Sequence, residues 1–95
     1  MNWTWSQTKA DVNFKKHGVS FELASRVFGD PMAVTVPDPY AGEERWRTIG
    51  QPSSASPIIL LVVHTWPVDD KDEGRIISAR RAEPNERRAY EEGQF

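Results

Sequence analysis

Ninety-five residues are enough for one domain, near the lower limit of what folds around a single hydrophobic core unaided. The chain has no cysteine, which excludes disulfide staples, thiolate metal sites and thiol catalysis. A net charge of −2 gives no overall attraction for nucleic acid, and so short a chain leaves little room for a deep pocket, so chemistry on an open groove suits a polymer better than a metabolite.

The charge is unevenly placed. Asp69 to Glu73 (DDKDE) holds four acids and one lysine and reads as an exposed turn; without it, eleven basic residues face ten acidic ones. Arg75, Arg80, Arg81, Arg87 and Arg88 fall within fourteen positions, a local concentration that permits a phosphate site. The longest apolar run, Ile58 to Val63, is too short to span a bilayer, and Met1-Asn-Trp-Thr-Trp lacks the regions of a signal peptide. The expectation is a cytoplasmic protein with no membrane association.

In chain order, Trp3 and Trp5 alternate with polar residues as in a short strand. Ser6 can cap a helix running to His17, with Ala10, Phe14 and His17 on one face and Lys9, Asn13 and Lys16 on another. Gly18 supplies the left-handed residue after it, with Val19 packing back. Ser20 caps a second helix burying Phe21, Ala24, Val27 and Phe28, with Glu22 in its first turn and Gly29-Asp30-Pro31 as its stop. Met32 to Val36 reads as a strand, and Pro37 to Gly42 as a loop. Glu44 to Gly50 alternates, placing Arg45, Arg47 and Ile49 on one side and Trp46 and Thr48 on the other. Ile58 to Thr65 is apolar on both faces, the mark of a central strand. Pro67 to Gly74 turns the chain into the strand Arg75 to Arg80. Pro84 fits the first position of a closing helix, with Glu86 completing half a capping box on Glu83; little but Ala89 and Tyr90 faces a core, so this helix is expected to dock loosely. The order β-α-α-β-β-β-β-α is that of one α+β domain over residues 1–95, an antiparallel sheet packed by two N-terminal helices with a peripheral third.

No metal signature, glycine-rich phosphate loop or nucleophile elbow is present, so neither metal nor cofactor is expected. His64 ends the most apolar strand, where desolvation would depress its pKa toward that of a general base; a hydrogen-bonded histidine at the core's edge is the alternative. Arg75 and Arg80 bracket the last strand, and their odd separation puts them on opposite faces unless a bulge intervenes. Arginines within strands of so small a protein need partners, as salt bridges or as phosphate ligands. Lys16 and His17 sit at a helix end, as solvated and capping residues or as RNA contacts. Arg81, Arg87 and Arg88 read as a solvated or partner-binding surface.

Several segments resemble one family: Lys15-Lys-His-Gly-Val-Ser-Phe-Glu22, Ala24 with Val27-Phe28, Glu44-Arg45 with Ile49-Gly50, Val62-Val-His-Thr65, and above all Arg75-Ile-Ile-Ser-Ala-Arg-Arg81 followed by Glu86-Arg87 and Tyr90. In this order they are similar to BrnT, the toxin of the BrnT/BrnA type II toxin–antitoxin system. The resemblance implies a RelE-like ribonuclease fold and a 2:2 complex with a BrnA-like antitoxin, whose ribbon-helix-helix domain binds DNA and represses the shared operon. Ser6 stands where aspartate is common, and Glu83 replaces the usual Ser or Thr cap, which would weaken the last helix.

The function expected is that of an endoribonuclease toxin that cleaves RNA without metal through its 2′-OH and inhibits translation. His64, Arg45, Arg75 and Arg80 are the catalytic candidates, and Lys16, His17 and Arg81 the RNA-binding ones. Arg81, Arg87 and Arg88 form the expected antitoxin surface, the Arg80-Arg81 and Arg87-Arg88 clusters lacking an evident acidic complement within the chain, and DNA is met only through the antitoxin. The alternative is a non-catalytic protein- or nucleic-acid-binding module of the same fold; a metabolic enzyme is disfavoured by size and by the missing cofactor motifs.

Overall fold

The computed structural model describes residues 2–66 and 73–93; of the acidic run at 69–73 and the turn expected over 67–74, residues 67–72 lie outside the described residues, and Glu73 and Gly74 already belong to the last strand. The elements are β1 (Asn2–Thr4), α1 (Gln7–His17), α2 (Phe21–Ser25) continued by a 3-10 turn (Arg26–Gly29), β2 (Val34–Pro37), β3 (Trp46–Gly50), β4 (Leu60–His64), β5 (Glu73–Arg81) and α3 (Pro84–Glu91). The expected α+β order is therefore the observed one. The strands form one sheet in the order β1-β5-β4-β3-β2. β2 to β5 pair antiparallel, and β1 adds to β5 in parallel.

Local chemistry sets the helix limits. Ser6 Oγ accepts from the Lys9 N–H and Ser20 Oγ from the Leu23 N–H, each relieving an orphan donor at a helix start. Gly18 takes φ 72°, and its N–H closes on the Phe14 carbonyl, which ends α1 and turns the buried Val19 toward the sheet.

The sheet carries a core on each face. Leu60 and Val62 of β4, with Ile76 and Ala79 of β5, pack under Phe21, Ala24 and Val27. Trp3 stacks on Phe28 with centroids 3.8 Å apart, and its indole lies where a side chain on Gly74 would be. On the opposite face Ile49, Ile59 and Leu61 form a smaller cluster capped by Val63, Ala82 and Tyr90.

Two expectations need correction. On α1, Asn13 is buried and Phe14 is 56 % exposed, the reverse of the apolar periodicity. β1 covers β5 only at Glu73 to Arg75, so the backbone of Ala79 is left at an open edge. Asn13 completes that edge as a substitute peptide: Oδ1 accepts from the Ala79 N–H (3.1 Å), and Nδ2 donates to the carbonyls of Ala79 (2.8 Å) and Val19 (3.1 Å). α3 is also not loosely docked, although none of its residues is fully buried. The Tyr90 hydroxyl donates to Asp30 Oδ2 at 2.6 Å, and the Arg80 guanidinium grips both oxygens of Glu86 at 2.8 and 2.9 Å.

Candidate active site

The face opposite α1 and α2 gathers the strand arginines. Paired residues share a face, so the rows Val36–Arg47–Val63–Ser78 and Val34–Ile49–Leu61–Arg80 lie on the same side as the smaller core. At the other end of β5, Ile76 is paired with His64 and packs with α2's core, so Arg75 points to the arginine side. Between these registers β5 advances two residues while β4 advances one, with Ile77 as the extra residue of a bulge. The bulge cancels the odd spacing. Arg75, Ser78 and Arg80 therefore share one face.

Carboxylates hold these guanidiniums in place. Glu43 Oε1 accepts from Arg75 (2.7 Å) and from Arg45 Nε (3.2 Å), joining the loop before β3 to β5. Arg45 also lies 3.8 Å above the Tyr40 ring. Arg47 Nε bonds Asp38 Oδ1 at 2.5 Å, and Arg80 takes Glu86 in a two-point fork. The hydrogen bond from Arg75, then that from Arg45, holds the Glu43 carboxyl below its ordinary value. Four guanidiniums held by three carboxylates can exchange those oxygens for phosphate oxygens of the same geometry.

His64 is elsewhere. It faces the helical side, fully buried between Trp3, Phe28 and Trp66. Its Nδ1 donates to the Thr65 carbonyl (2.9 Å), so Nε2 accepts from the Thr48 hydroxyl (2.7 Å), whose oxygen is bonded in turn to Thr35 (2.7 Å). Burial pushes its pKa down, as expected, with the Thr65 bond opposing. Both nitrogens are occupied and neither meets solvent, which is the arrangement of a structural histidine.

The match to known proteins is direct. A family model described as the ribonuclease toxin, BrnT, of type II toxin-antitoxin systems matches residues 5–86. The chain belongs to the BrnT family. Its fold is similar to the crystal structure of the Brucella abortus ribonuclease toxin BrnT, with a TM-score of 0.61 and 25 % identity over 87 % of this chain and 97 % of that one. No curated protein matches it in sequence.

In this BrnT chain, Arg45, Arg75 and Arg80 are thus assembled on one face, and Arg47, Glu43, Asp38 and Glu86 belong beside them. The alternation Arg45/Arg47 was the available signal for Arg47; Glu43, Asp38 and Glu86 lie two, nine and six positions from Arg45, Arg47 and Arg80, and only the bond from Arg75 to Glu43, thirty-two positions apart, left no local trace. Lys16 and His17 do not join the group. They line a shallow groove of about 280 Å³ between α1 and the edge of β5, which reaches Ile77 and Ser78. Arg81 and Arg87 line a separate cleft of about 250 Å³ with Ile58 and Ile59, while Arg88 is exposed on α3. The expected lack of acidic complements is corrected: Glu86 holds Arg80, and Glu91 meets Arg87 at 3.0 Å, one helical turn on. Among the described residues only Arg81 and Arg88 of that cluster have no ion pair.

Proposed function

We propose that this chain cleaves RNA on the arginine face, the ribose 2′-OH attacking the adjacent phosphorus, and thereby inhibits translation. RNA carries this nucleophile within itself, so the protein need supply only a base, donors to the phosphorane oxygens and a proton for the leaving oxygen. One observation carries the reading: the bulge at Ile77 brings Arg75 and Arg80 to the same side as Arg45 and Arg47. Lys16 and His17 border a groove that reaches Ser78, so a strand leaving the arginine face along β5 would meet them.

The antitoxin is proposed to cover Arg81, Arg87 and Arg88 beside the Ile58–Ile59 cleft, in a 2:2 complex with a ribbon-helix-helix protein that alone touches DNA. A module that binds without turnover is the second reading, favoured by the complete pairing of the site arginines with carboxylates. The discriminating experiment is incubation of the purified protein with RNA in excess EDTA. Cleavage leaving 2′,3′-cyclic phosphate ends, lost in Arg75→Ala, is the expected result. RNA that stays intact until a divalent metal is added overturns the mechanism, and RNA bound but never cut supports the second reading.

A further inference from the structure

We propose that Glu43 is the general base of this site. The assignment rests on the ribonuclease reading above and names the group that reading lacks, since His64 is enclosed on the other side of the sheet. The carboxylates bonded to the site's arginines differ in what they have left to offer. Asp38 is spent on both oxygens, Oδ1 on Arg47 and Oδ2 on the Tyr40 N–H. Glu86 is spent likewise, both oxygens on Arg80 and Oε1 also on the Glu83 N–H. Nearby Asp30 gives Oδ1 to the Met32 N–H and Oδ2 to Tyr90 and the Gln51 N–H. Glu43 commits a single oxygen, Oε1, to Arg45 and Arg75, leaving Oε2 without a partner among the described residues; Glu83, 4.0 Å from Arg80, approaches only that one guanidinium. It is also the carboxylate that bridges a guanidinium of the loop before β3 to one of β5, so a phosphate bound by Arg45 and Arg75 is beside it.

The chemistry follows from that placement. Glu43 Oε2 takes the proton of the ribose 2′-OH while the 2′ oxygen forms its bond to phosphorus. The bond from phosphorus to O5′ breaks with its electron pair on O5′, which takes a proton from solvent. Glu43 then returns its proton to solvent, and the products are a 2′,3′-cyclic phosphate and a 5′-hydroxyl. Arg75 from β5, Arg47 from β3, and Arg45, Asp38 and Tyr40 from the loop that carries Glu43 are the charged and titratable groups around it. When phosphate draws the guanidiniums away and adds its own negative charge, Glu43 becomes more basic than in the free protein.

The test compares steady-state cleavage of a short RNA by wild type, Glu43→Gln and Glu43→Asp across pH. Glu43 is exposed on a loop, so both variants are expected to fold, checked by thermal melting. A general base contributes about 10²- to 10⁴-fold, so Glu43→Gln should lower kcat at least about 100-fold with KM changed less than about threefold. Wild-type kcat should be flat from about pH 5.5 to about pH 8, whereas the Gln variant, left to hydroxide, should rise about tenfold per pH unit. Glu43→Asp should recover part of the rate and the flat profile. A Gln variant that is slow but keeps the flat profile reduces Glu43 to a residue that orients Arg45 and Arg75, and overturns the assignment. A Gln variant as fast as wild type overturns it outright while leaving the ribonuclease reading intact. A wild-type protein that cuts no RNA removes that reading and this assignment together.

Discussion

His64 turns the interior of the protein into a measurable pH response. Its ring is fully buried, and burial pushes its pKa below the ordinary 6.5. The unfolded chain therefore binds a proton that the folded chain refuses, and stability must rise with pH. The contribution is fully present above 6.5 and is lost as pH falls from there toward the lower folded value. Between about pH 7.5 and about pH 5.5 the unfolded imidazole goes from about one-tenth to about nine-tenths protonated, so stability falls by up to about 1.4 kcal/mol, the limit reached by a folded ring that takes up no proton in this window. With an m-value of about 1 kcal/mol/M for a chain this small, the urea midpoint should fall measurably, by up to about 1.4 M. The depressed carboxyls of Asp30, Asp38, Glu43 and Glu86 have ordinary values of 3.8 or 4.5, below this window. His64→Gln should lower the midpoint at both pH values, by unpairing Thr48, and abolish the difference between them. Equal midpoints for the wild type at the two pH values, or the same shift in His64→Gln, would refute the structural role given to this ring.

Asn13→Ala strips three hydrogen bonds from a buried position and orphans the Ala79 N–H and carbonyl, at a cost of about 3–5 kcal/mol by urea denaturation; a loss under about 1 kcal/mol would mean the β5 edge is closed by other means. Reversing Arg81, Arg87 and Arg88 to glutamate should weaken antitoxin binding at least about tenfold in a titration, given coupling energies of roughly 1.5–7 kcal/mol for desolvated charge pairs. Unchanged affinity would move the interface away from α3 and the Ile58–Ile59 cleft.

Much of the architecture was legible because it depends on neighbours. Ser6, Gly18 and Ser20 punctuate the helices through bonds to residues three or four positions away, and the doubly apolar Leu60 to Val63 could only be an inner strand. What escaped depends on partners far along the chain. Asn13 and Phe14 cannot be ranked for burial without knowing that β1 stops after three residues and leaves Ala79 bare. Tyr90 and Asp30 are sixty positions apart, and nothing near either announces the bond that seats α3. The arginine face was half visible: the spacing of Arg75 and Arg80 posed the question of a bulge, and Ile76-Ile77, two apolar residues in succession, marks where it falls. His64 was correctly read as desolvated, but the closure of both nitrogens by Thr48 and Thr65 could not be read from an apolar run.

The pairing of β1 with β5 also bears on how the chain is made. Residues 2–4 emerge from the ribosome before the other strands, and their partners, residues 73–75, emerge after every other strand. At about 5–20 residues per second the nascent chain waits seconds with its sheet incomplete. During that interval β4 lacks its neighbour, the pairing of longest sequence separation is unmade, and Arg75 and Arg80 have yet to meet Arg45 and Arg47. A nascent chain stalled before residue 73 thus presents an apolar strand edge to chaperones and proteases, and its arginine face is not yet assembled.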